Sequence, residues 1–236
     1  MIIRPRAGAL LFITQPDHAA AAADLVLQFD GFAANLRKSD IHLAVREHDA
    51  GWQELDEEVV FDEASGAALD FMGVPEPFKR TVWPVGIDAL ADRAPYAAAL
   101  IAEHALFVYS ANVGNPGWAE FFKEIEERRT RLLARSGVPL DTLKADYPFL
   151  GIADLVSLSF CHLWTEPKER FGRSVRCEDG AVTIIPSVLT TAAVPVRVRA
   201  RVLPDRRFDS REELRDRLAR APVEFLTGIA RAGSAA

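Results

Sequence analysis

The stretch DYPFLGIADLVSLSFCHLW, residues 146–164, is an apolar run long enough for a buried helix, and it carries one carboxylate near its middle. The carboxylate is Asp154, and its apolar neighbours are Ile152, Leu155, Val156 and Leu158. Burial of an unpaired carboxylate is costly, so Asp154 requires a metal ion, an arginine or backbone donors as its partner. The sequence therefore predicts a polar site inside a helical core.

Other predicted helices place histidines on their inward faces. The segment ITQPDHA begins a helix at about Asp17, with Thr14 as its N-cap, and this helix carries His18. In residues 41–52, IHLAVREHDAGW, helical spacing places His48 on the apolar stripe, with Asp49 beside it. The run PYAAALIAEHALFVYSA, residues 95–111, likewise predicts a helix with His104 facing inward.

After about residue 172 the spacing of the apolar residues changes from that of helices to that of strands. VRCEDGAVTIIP indicates a hairpin around Asp179-Gly180, and VPVRVRARVLP alternates valine with arginine as a half-buried strand does. A capping box at Ser210 and Glu213 opens a last helix, expected to run to about residue 230. The fold class predicted is mainly α (α+β). A helical core covers about residues 15–170, and a small β element plus a closing helix covers about 172–230, within a single domain, 1–236.

The composition excludes several classes of protein. The 236 residues carry 28 lysines and arginines against 34 aspartates and glutamates, a net charge of -6, which argues against nucleic acid or anionic membrane as partner. No apolar run reaches the roughly 18 residues needed to span a bilayer. The two cysteines are too few for a disulfide framework, and the first residues lack a secretory signal, so a cytoplasmic location is expected. Small molecules or proteins are the expected partners, and an oligomer is compatible with the sequence.

Imidazoles and carboxylates recur on separate predicted helices, and they could converge on one ion. They are His18, His48, Asp49, His104 and Asp154. Nitrogen and oxygen ligands of this kind suit Zn, Mn or Fe in an open hydrolytic site. The sequence therefore predicts a divalent transition-metal site, although a buried hydrogen-bonded network of the same residues is the alternative.

The order of these residues resembles the HD-domain superfamily of metal-dependent phosphohydrolases. More narrowly, ITQPDHA, REHDAGW, the Asp70-Phe71 pair, the His104 helix and DLVSLSFC look like an uncharacterised bacterial family with an HD-like pattern, over most of the chain. The resemblance implies an HD-like helical bundle that hydrolyses a phosphate ester or a nucleotide at a metal centre.

The resemblance also implies roles for particular residues. His18, His48, Asp49 and Asp154 would be the primary ligands, and His104 would be auxiliary, as in dinuclear members. Those members usually have two histidines between the His-Asp pair and the final aspartate, where this chain has only His104. This difference argues against a second metal ion. Apart from the resemblance, Asp49 is expected to take part in catalysis. Cations that belong to no motif but lie close to the site along the sequence are expected to hold the negative charge of the phosphate. The cations are Lys79, Arg80 and Arg46.

The sequence is also compatible with two rival functions. The first is a non-catalytic ligand-binding or interaction module with a buried His/Asp network. The second, weaker, is a thiol enzyme that uses Cys161 beside His162, although adjacent residues point apart and no oxyanion loop accompanies them. The arginines at 197, 199 and 201 are interpreted as the solvated face of a strand rather than as an anion site.

Overall fold

The computed structural model describes residues 1–233. The helices within this range are α1 Gln15–Val26, α2 Lys38–Glu47, α3 Gln53–Glu58, α4 Glu76–Ala91, α5 Pro95–Val108, α6 Ala119–Ser136, α7 Leu140–His162 and α8 Arg211–Arg220. The strands are β1 Ile2–Arg6, β2 Ala9–Ile13, β3 Phe61–Asp62, β4 Ala67–Ala68, β5 Lys168–Arg170, β6 Arg173–Glu178, β7 Ala181–Ile185, β8 Ala193–Pro204 and β9 Val223–Ala232. Within these residues, no helix has both the length and the apolar composition required to span a membrane.

Side-chain and glycine caps define several helix ends, as the sequence predicts. The hydroxyl of Thr14 accepts a hydrogen bond from the backbone N–H of Asp17 at 3.1 Å, which fixes the start of α1. Ser210 caps α8 in the same way, accepting from the N–H of Glu213 at 3.1 Å. Gly137, with φ of 69°, ends α6 in the left-handed conformation that glycine adopts at low cost.

A seven-stranded mixed sheet replaces the small β element that was predicted. Its strand order is β1-β2-β8-β9-β7-β6-β5, antiparallel except for the parallel pair β7 and β9. The prediction of a mainly α, HD-domain-like helical bundle is therefore wrong, and the chain has an α+β fold. The N-terminal strands do pair with a later strand, since β2 lies antiparallel to β8.

The closing helix is shorter than predicted, because its second half is a strand in the interior of the sheet. α8 ends at Arg220, and Val223–Ala232 forms β9 between β8 and β7. The physical reason is Pro222: it lacks an N–H, and the residue before a proline avoids the helical region. Ala221 accordingly has a ψ of 143°.

Helix α7 lies between the sheet and the other helices, and this location brings Asp154 into the core. The helix packs against α1, α2 and α5 and also against β1, β6 and β7. The ring of Phe160 fits over Gly228 of β9, where an added Cβ would lie 2.4 Å from a ring carbon. On β8 the burial alternates as predicted, with Val196 and Val198 buried and Arg197 and Arg199 exposed.

Candidate metal centre

Four elements bring the predicted ligands together. His18 lies in the first turns of α1, His104 on α5 and Asp154 in the middle of α7, while His48 and Asp49 directly follow α2. α2 ends at Glu47, and Asp49, with φ of -108° and ψ of 15°, leaves the helical path before a short 3-10 turn. The adjacent side chains of His48 and Asp49 therefore converge instead of diverging by a helical step of about 100°.

The nitrogen and oxygen atoms of four of these residues lie at closely similar separations. His18 Nε2 is 3.3 Å from Asp49 Oδ2 and 3.4 Å from Asp154 Oδ1. His48 Nε2 is 3.3 Å from the same oxygen of Asp49 and 3.5 Å from the same oxygen of Asp154. All four side chains are at most 8% exposed. The structure thus places Asp49 and Asp154 within 3.5 Å of both imidazole Nε2 atoms, in one buried cluster.

Hydrogen bonds at the opposite ring nitrogens fix how the imidazoles are protonated. The Nδ1 of His48 lies 2.7 Å from the carbonyl oxygen of Val45, which can only accept a hydrogen bond. The hydroxyl of Ser157 donates to the carbonyl of His18 at 2.9 Å, so its oxygen accepts from His18 Nδ1, also at 2.9 Å. Both Nδ1 atoms therefore carry a proton, so in the neutral form of each ring Nε2 presents a lone pair to the carboxylates.

These lone pairs satisfy the main requirement for a bound cation. The Nε2 atoms of His18 and His48 are buried and have no hydrogen-bond partner. Their separations from Asp49 and Asp154 exceed the roughly 2.7–2.9 Å of a charge-assisted hydrogen bond. Ligand atoms about 2.1 Å from a common cation, at angles of about 90–109°, would lie about 3.0–3.4 Å apart. Three of the four measured separations lie within that range, and the fourth is 3.5 Å. Two overlapping groups of these buried residues could hold a metal ion: His18, His48 and Asp49 form one, and His48, His104 and Asp154 form the other.

His104 lies at the edge of this group, next to the second oxygen of Asp154. Its Nε2 is 3.8 Å from Asp154 Oδ2, and its Nδ1 is 2.9 Å from the hydroxyl of Tyr147. Its ring packs edge-on against that of His48, with centroids 5.1 Å apart. Burial lowers the pKa of His104 to about 3, so the ring is neutral at pH 7. This arrangement suits an auxiliary ligand.

Electrostatic interactions keep both carboxylates ionised. Burial by itself would raise the pKa values of Asp49 and Asp154, but the imidazoles of His18 and His48 outweigh it and lower both. Burial alone would in turn lower the pKa values of the two histidines, and the carboxylates outweigh it and raise both. Protons on the two imidazoles thus compensate the buried negative charges in the absence of a cation, and a bound cation would replace those protons.

Arg170, which was not predicted, is the cation that contacts the cluster. Its Nη1 donates to Asp154 Oδ2 at 2.6 Å and to the carbonyl of Gly151 at 2.7 Å. Of the partners that its burial suggested, Asp154 has an arginine at one oxygen, while its other oxygen faces the two imidazoles. No local pattern in the sequence marks Arg170, because the contact depends on how the β5–β6 hairpin packs against α7.

The cations predicted to hold phosphate make other contacts. Lys79 donates to the carbonyl of Met72 at 2.6 Å, and Arg80 lies 3.6 Å from Glu76, with its guanidinium 5.3 Å from the centre of the Trp118 ring. Arg46 is exposed on α2. Among the contacts described for residues 1–233, none joins these three cations to the cluster, and their role in substrate binding stays a prediction.

Cys161 is a poor candidate nucleophile in this structure. It is fully buried in α7, and burial raises the pKa of its thiol to about 12. A thiol enzyme reacts through the thiolate, which such a group does not form near neutral pH. The geometry thus favours the His/Asp cluster over the thiol as the functional site.

Comparison with known proteins identifies the family of the chain. Residues 1–205 match the model of a family described as "Protein of unknown function (DUF3891)", and the chain belongs to this family. The matched range includes every residue of the cluster and Arg170. No curated protein matches the chain, and no solved structure matches it. The function therefore has to be inferred from the site itself.

Proposed function

We propose that this protein is a metal-dependent hydrolase that acts on a small-molecule phosphate ester or a nucleotide. The observation that carries the proposal is the pair of buried, unpartnered Nε2 atoms of His18 and His48, which face two ionised carboxylates at 3.3–3.5 Å. An arrangement of lone pairs facing negative charges is unfavourable unless a cation or protons lie between them. A bound divalent cation relieves this repulsion.

The chemistry of the donor atoms narrows the choice of cation. Two imidazole nitrogens and two carboxylate oxygens, with a third imidazole nearby, suit Mn, Fe or Zn. Cys161 and Cys177, the only two cysteines of the chain, lie outside the set. The order of the ligands along the chain resembles that of the HD superfamily, although the fold differs, and this order supports phosphate esters as the substrate class.

In the proposed mechanism the residues of the chain orient the ligands and exclude bulk water. Ser157 and the Val45 carbonyl hold the two imidazole rings, while Asp49 and Asp154 supply the negative charge that retains the ion. When bound, the ion would polarise a phosphoryl oxygen and lower the pKa of a water molecule. Hydrolysis then transfers the water oxygen to phosphorus, breaks the ester P–O bond and leaves the proton on the departing alcohol.

One observation favours a second candidate function. The pairing of Arg170 with Asp154 neutralises one carboxylate without a metal ion, as expected in a non-catalytic module with a buried His/Asp network. In that case the cluster would stabilise the fold, and the protonated imidazoles would donate to the carboxylates.

Replacement of His48 distinguishes the two functions, and His42 on the preceding helix α2 provides a matched control. Metal content is measured on protein purified without chelator and again after incubation with Mn, Fe or Zn. We expect about one ion per chain in the wild type and in His42→Ala, and less than about a tenth of that in folded His48→Ala. Phosphate release from a panel of phosphate monoesters and nucleotides should follow metal content. A folded wild-type protein that takes up none of the three metals would contradict the hydrolase proposal.

A further inference from the structure

The guanidinium of Arg170 contacts the cluster through one nitrogen only. Nη1 makes both hydrogen bonds, to Asp154 and to the Gly151 carbonyl. Within residues 1–233, no described hydrogen bond uses Nε or Nη2, and neither atom is among the buried polar atoms that lack a partner. The Nε/Nη2 edge therefore keeps some exposure to solvent, while the guanidinium lies over the Phe107 ring, 5.4 Å from its centre. It is the planar pair of donors that binds carboxylate and phosphate oxygens in a bidentate manner.

The side chain is also held rigidly in place. Phe171 and Gly172, with φ of 50° and 68°, form the two-residue turn between β5 and β6. The left-handed conformation is costly for phenylalanine, and packing of its ring against Phe107 and Tyr147 offsets that cost. The same ring covers Gly151, where an added Cβ would lie 2.5 Å from it. The turn thus fixes Arg170 over α7.

Exposure increases from the cluster toward this turn. The ligand side chains are 0–8% exposed, that of Arg170 is 16% exposed, and Phe107 and Phe171 beyond it are 37% and 36% exposed. A molecule approaching the cluster from this side therefore meets the free edge of Arg170 before it meets the buried ligands.

The charges of the cluster indicate which kind of molecule is bound there. With neutral imidazoles, a divalent cation would balance the two carboxylates, and Arg170 would leave one positive charge in excess. An uncompensated charge in a largely buried site is unfavourable, so the metal-loaded cluster favours an anion. The free donor edge beside Asp154 is where that anion can be held.

We infer that Arg170 is the oxyanion-binding residue of this cluster, and that the substrate enters beside the β5–β6 turn with its phosphoryl group toward Arg170. The inference rests on the proposed function, because the excess positive charge requires a bound divalent cation. It assigns to Arg170 the role that the sequence suggested for Lys79 and Arg80.

The test is a pair of calorimetric titrations, first with Mn²⁺ and then with inorganic phosphate on the Mn²⁺-loaded protein. Arg170→Gln should bind Mn²⁺ at least as well as the wild type, because a competing cation is removed, but phosphate affinity should fall by about tenfold or more. Arg170→Lys keeps the charge without the planar pair of donors and should give a smaller loss. Arg176→Gln, on β6 of the same hairpin, should match the wild type.

The outcomes separate this inference from the proposed function. If the wild type binds none of Mn²⁺, Fe²⁺ and Zn²⁺, both fail, and if it binds only Fe²⁺ or Zn²⁺, the phosphate titration is done on that form. If Mn²⁺ binds and Arg170→Gln keeps its phosphate affinity, or if Arg80→Gln loses it instead, the inference alone is overturned. Loss of Mn²⁺ binding in folded Arg170→Gln would likewise overturn it, by showing that Arg170 only holds Asp154 in position.

A measurement on the unmodified chain covers the case in which the glutamine variant does not fold. Phenylglyoxal modifies accessible guanidinium groups, and mass spectrometry locates the product. In the Mn²⁺-loaded wild type, phosphate should protect Arg170 and leave the modification of Arg176 unchanged. Equal modification of Arg170 with and without phosphate would overturn the inference.

Discussion

Substitution of Gly51 by alanine should damage both the fold and the cluster. Gly51 lies in the 3-10 turn two residues after Asp49, and this turn packs directly on the backbone of α4. A Cβ at this position would lie 1.9 Å from the carbonyl oxygen of Val82 and 3.0 Å from the backbone nitrogen of Gly86. Both obstacles are helix backbone, which cannot move aside as a flexible side chain can.

The expected magnitude follows from the size of the overlap. Ordinary contacts begin at 3.4 Å, so the turn and α4 would have to separate by about 1.5 Å in a close-packed interior. Overpacking of this kind costs about 2–3 kcal/mol. In a chain of this length, that loss lowers the melting temperature by about 4–12 °C. Asp49 would move by more than the roughly 0.5 Å that a binding site tolerates, so Mn²⁺ affinity should fall as well.

Gly73 provides the matched control. A Cβ there would meet only ordinary contacts, at 3.5 Å from the carbonyl oxygen of Asp70 and 3.9 Å from the Leu69 side chain. Gly73→Ala should therefore stay within about 0.5 kcal/mol of the wild type. The assays are thermal melting by circular dichroism and calorimetric titration with Mn²⁺. Equal melting temperatures for Gly51→Ala, Gly73→Ala and the wild type would refute the packing described for this turn.

Three further predictions concern residues around the cluster and the core. Ser157→Ala should lower Mn²⁺ affinity about 10–100-fold with the fold retained, because His18 loses the partner that orients its ring; an unchanged dissociation constant would contradict this. The pKa of Cys161, raised by burial to about 12, predicts that its thiol stays protonated between pH 7 and 9. A thiol reagent should then label it only after unfolding, and fast labelling of the folded protein at pH 8 would be the opposite result. Asp146 is buried and accepts hydrogen bonds from Arg37, Asn35 and Tyr96. Asp146→Ala should therefore lower the free energy of unfolding, measured with denaturant, by about 2–3 kcal/mol. A loss below about 0.5 kcal/mol would contradict this prediction.

Local signals in the sequence predicted several helix ends correctly, because each end depends on a few neighbouring residues. Thr14, Gly137 and Ser210 are examples, since their conformations and hydrogen bonds involve the nearest turn. Helical spacing also predicted correctly that His48 and His104 face inward, and both are 2% exposed. The cost of an unpaired buried carboxylate correctly indicated that Asp154 would have partners.

The size of the sheet could not be predicted in the same way. Val223, Leu226 and Ile229 recur every three residues, which imitates a helix, and yet they belong to β9. The signal against a helix was Pro222, but a proline alone does not show that the following segment pairs with β8 and β7. Those pairings join residues far apart in sequence, and the parallel pair of β7 and β9 has no local signature.

The contact of Arg170 with the cluster depends on tertiary structure as well. Its position requires the left-handed turn at Phe171 and the absence of a side chain at Gly151. Only the folded chain combines these features, so sequence reasoning selected Lys79 and Arg80 from their proximity along the chain.

A crystal structure of the Mn²⁺-loaded protein, with anomalous diffraction collected at the manganese edge, tests the central claim most directly. We expect one strong anomalous peak in the interior, about 2.0–2.3 Å from His18 Nε2, His48 Nε2 and one oxygen each of Asp49 and Asp154. A manganese peak at any other place, or a cluster that stays empty while its imidazoles donate hydrogen bonds to the two carboxylates, would contradict the account.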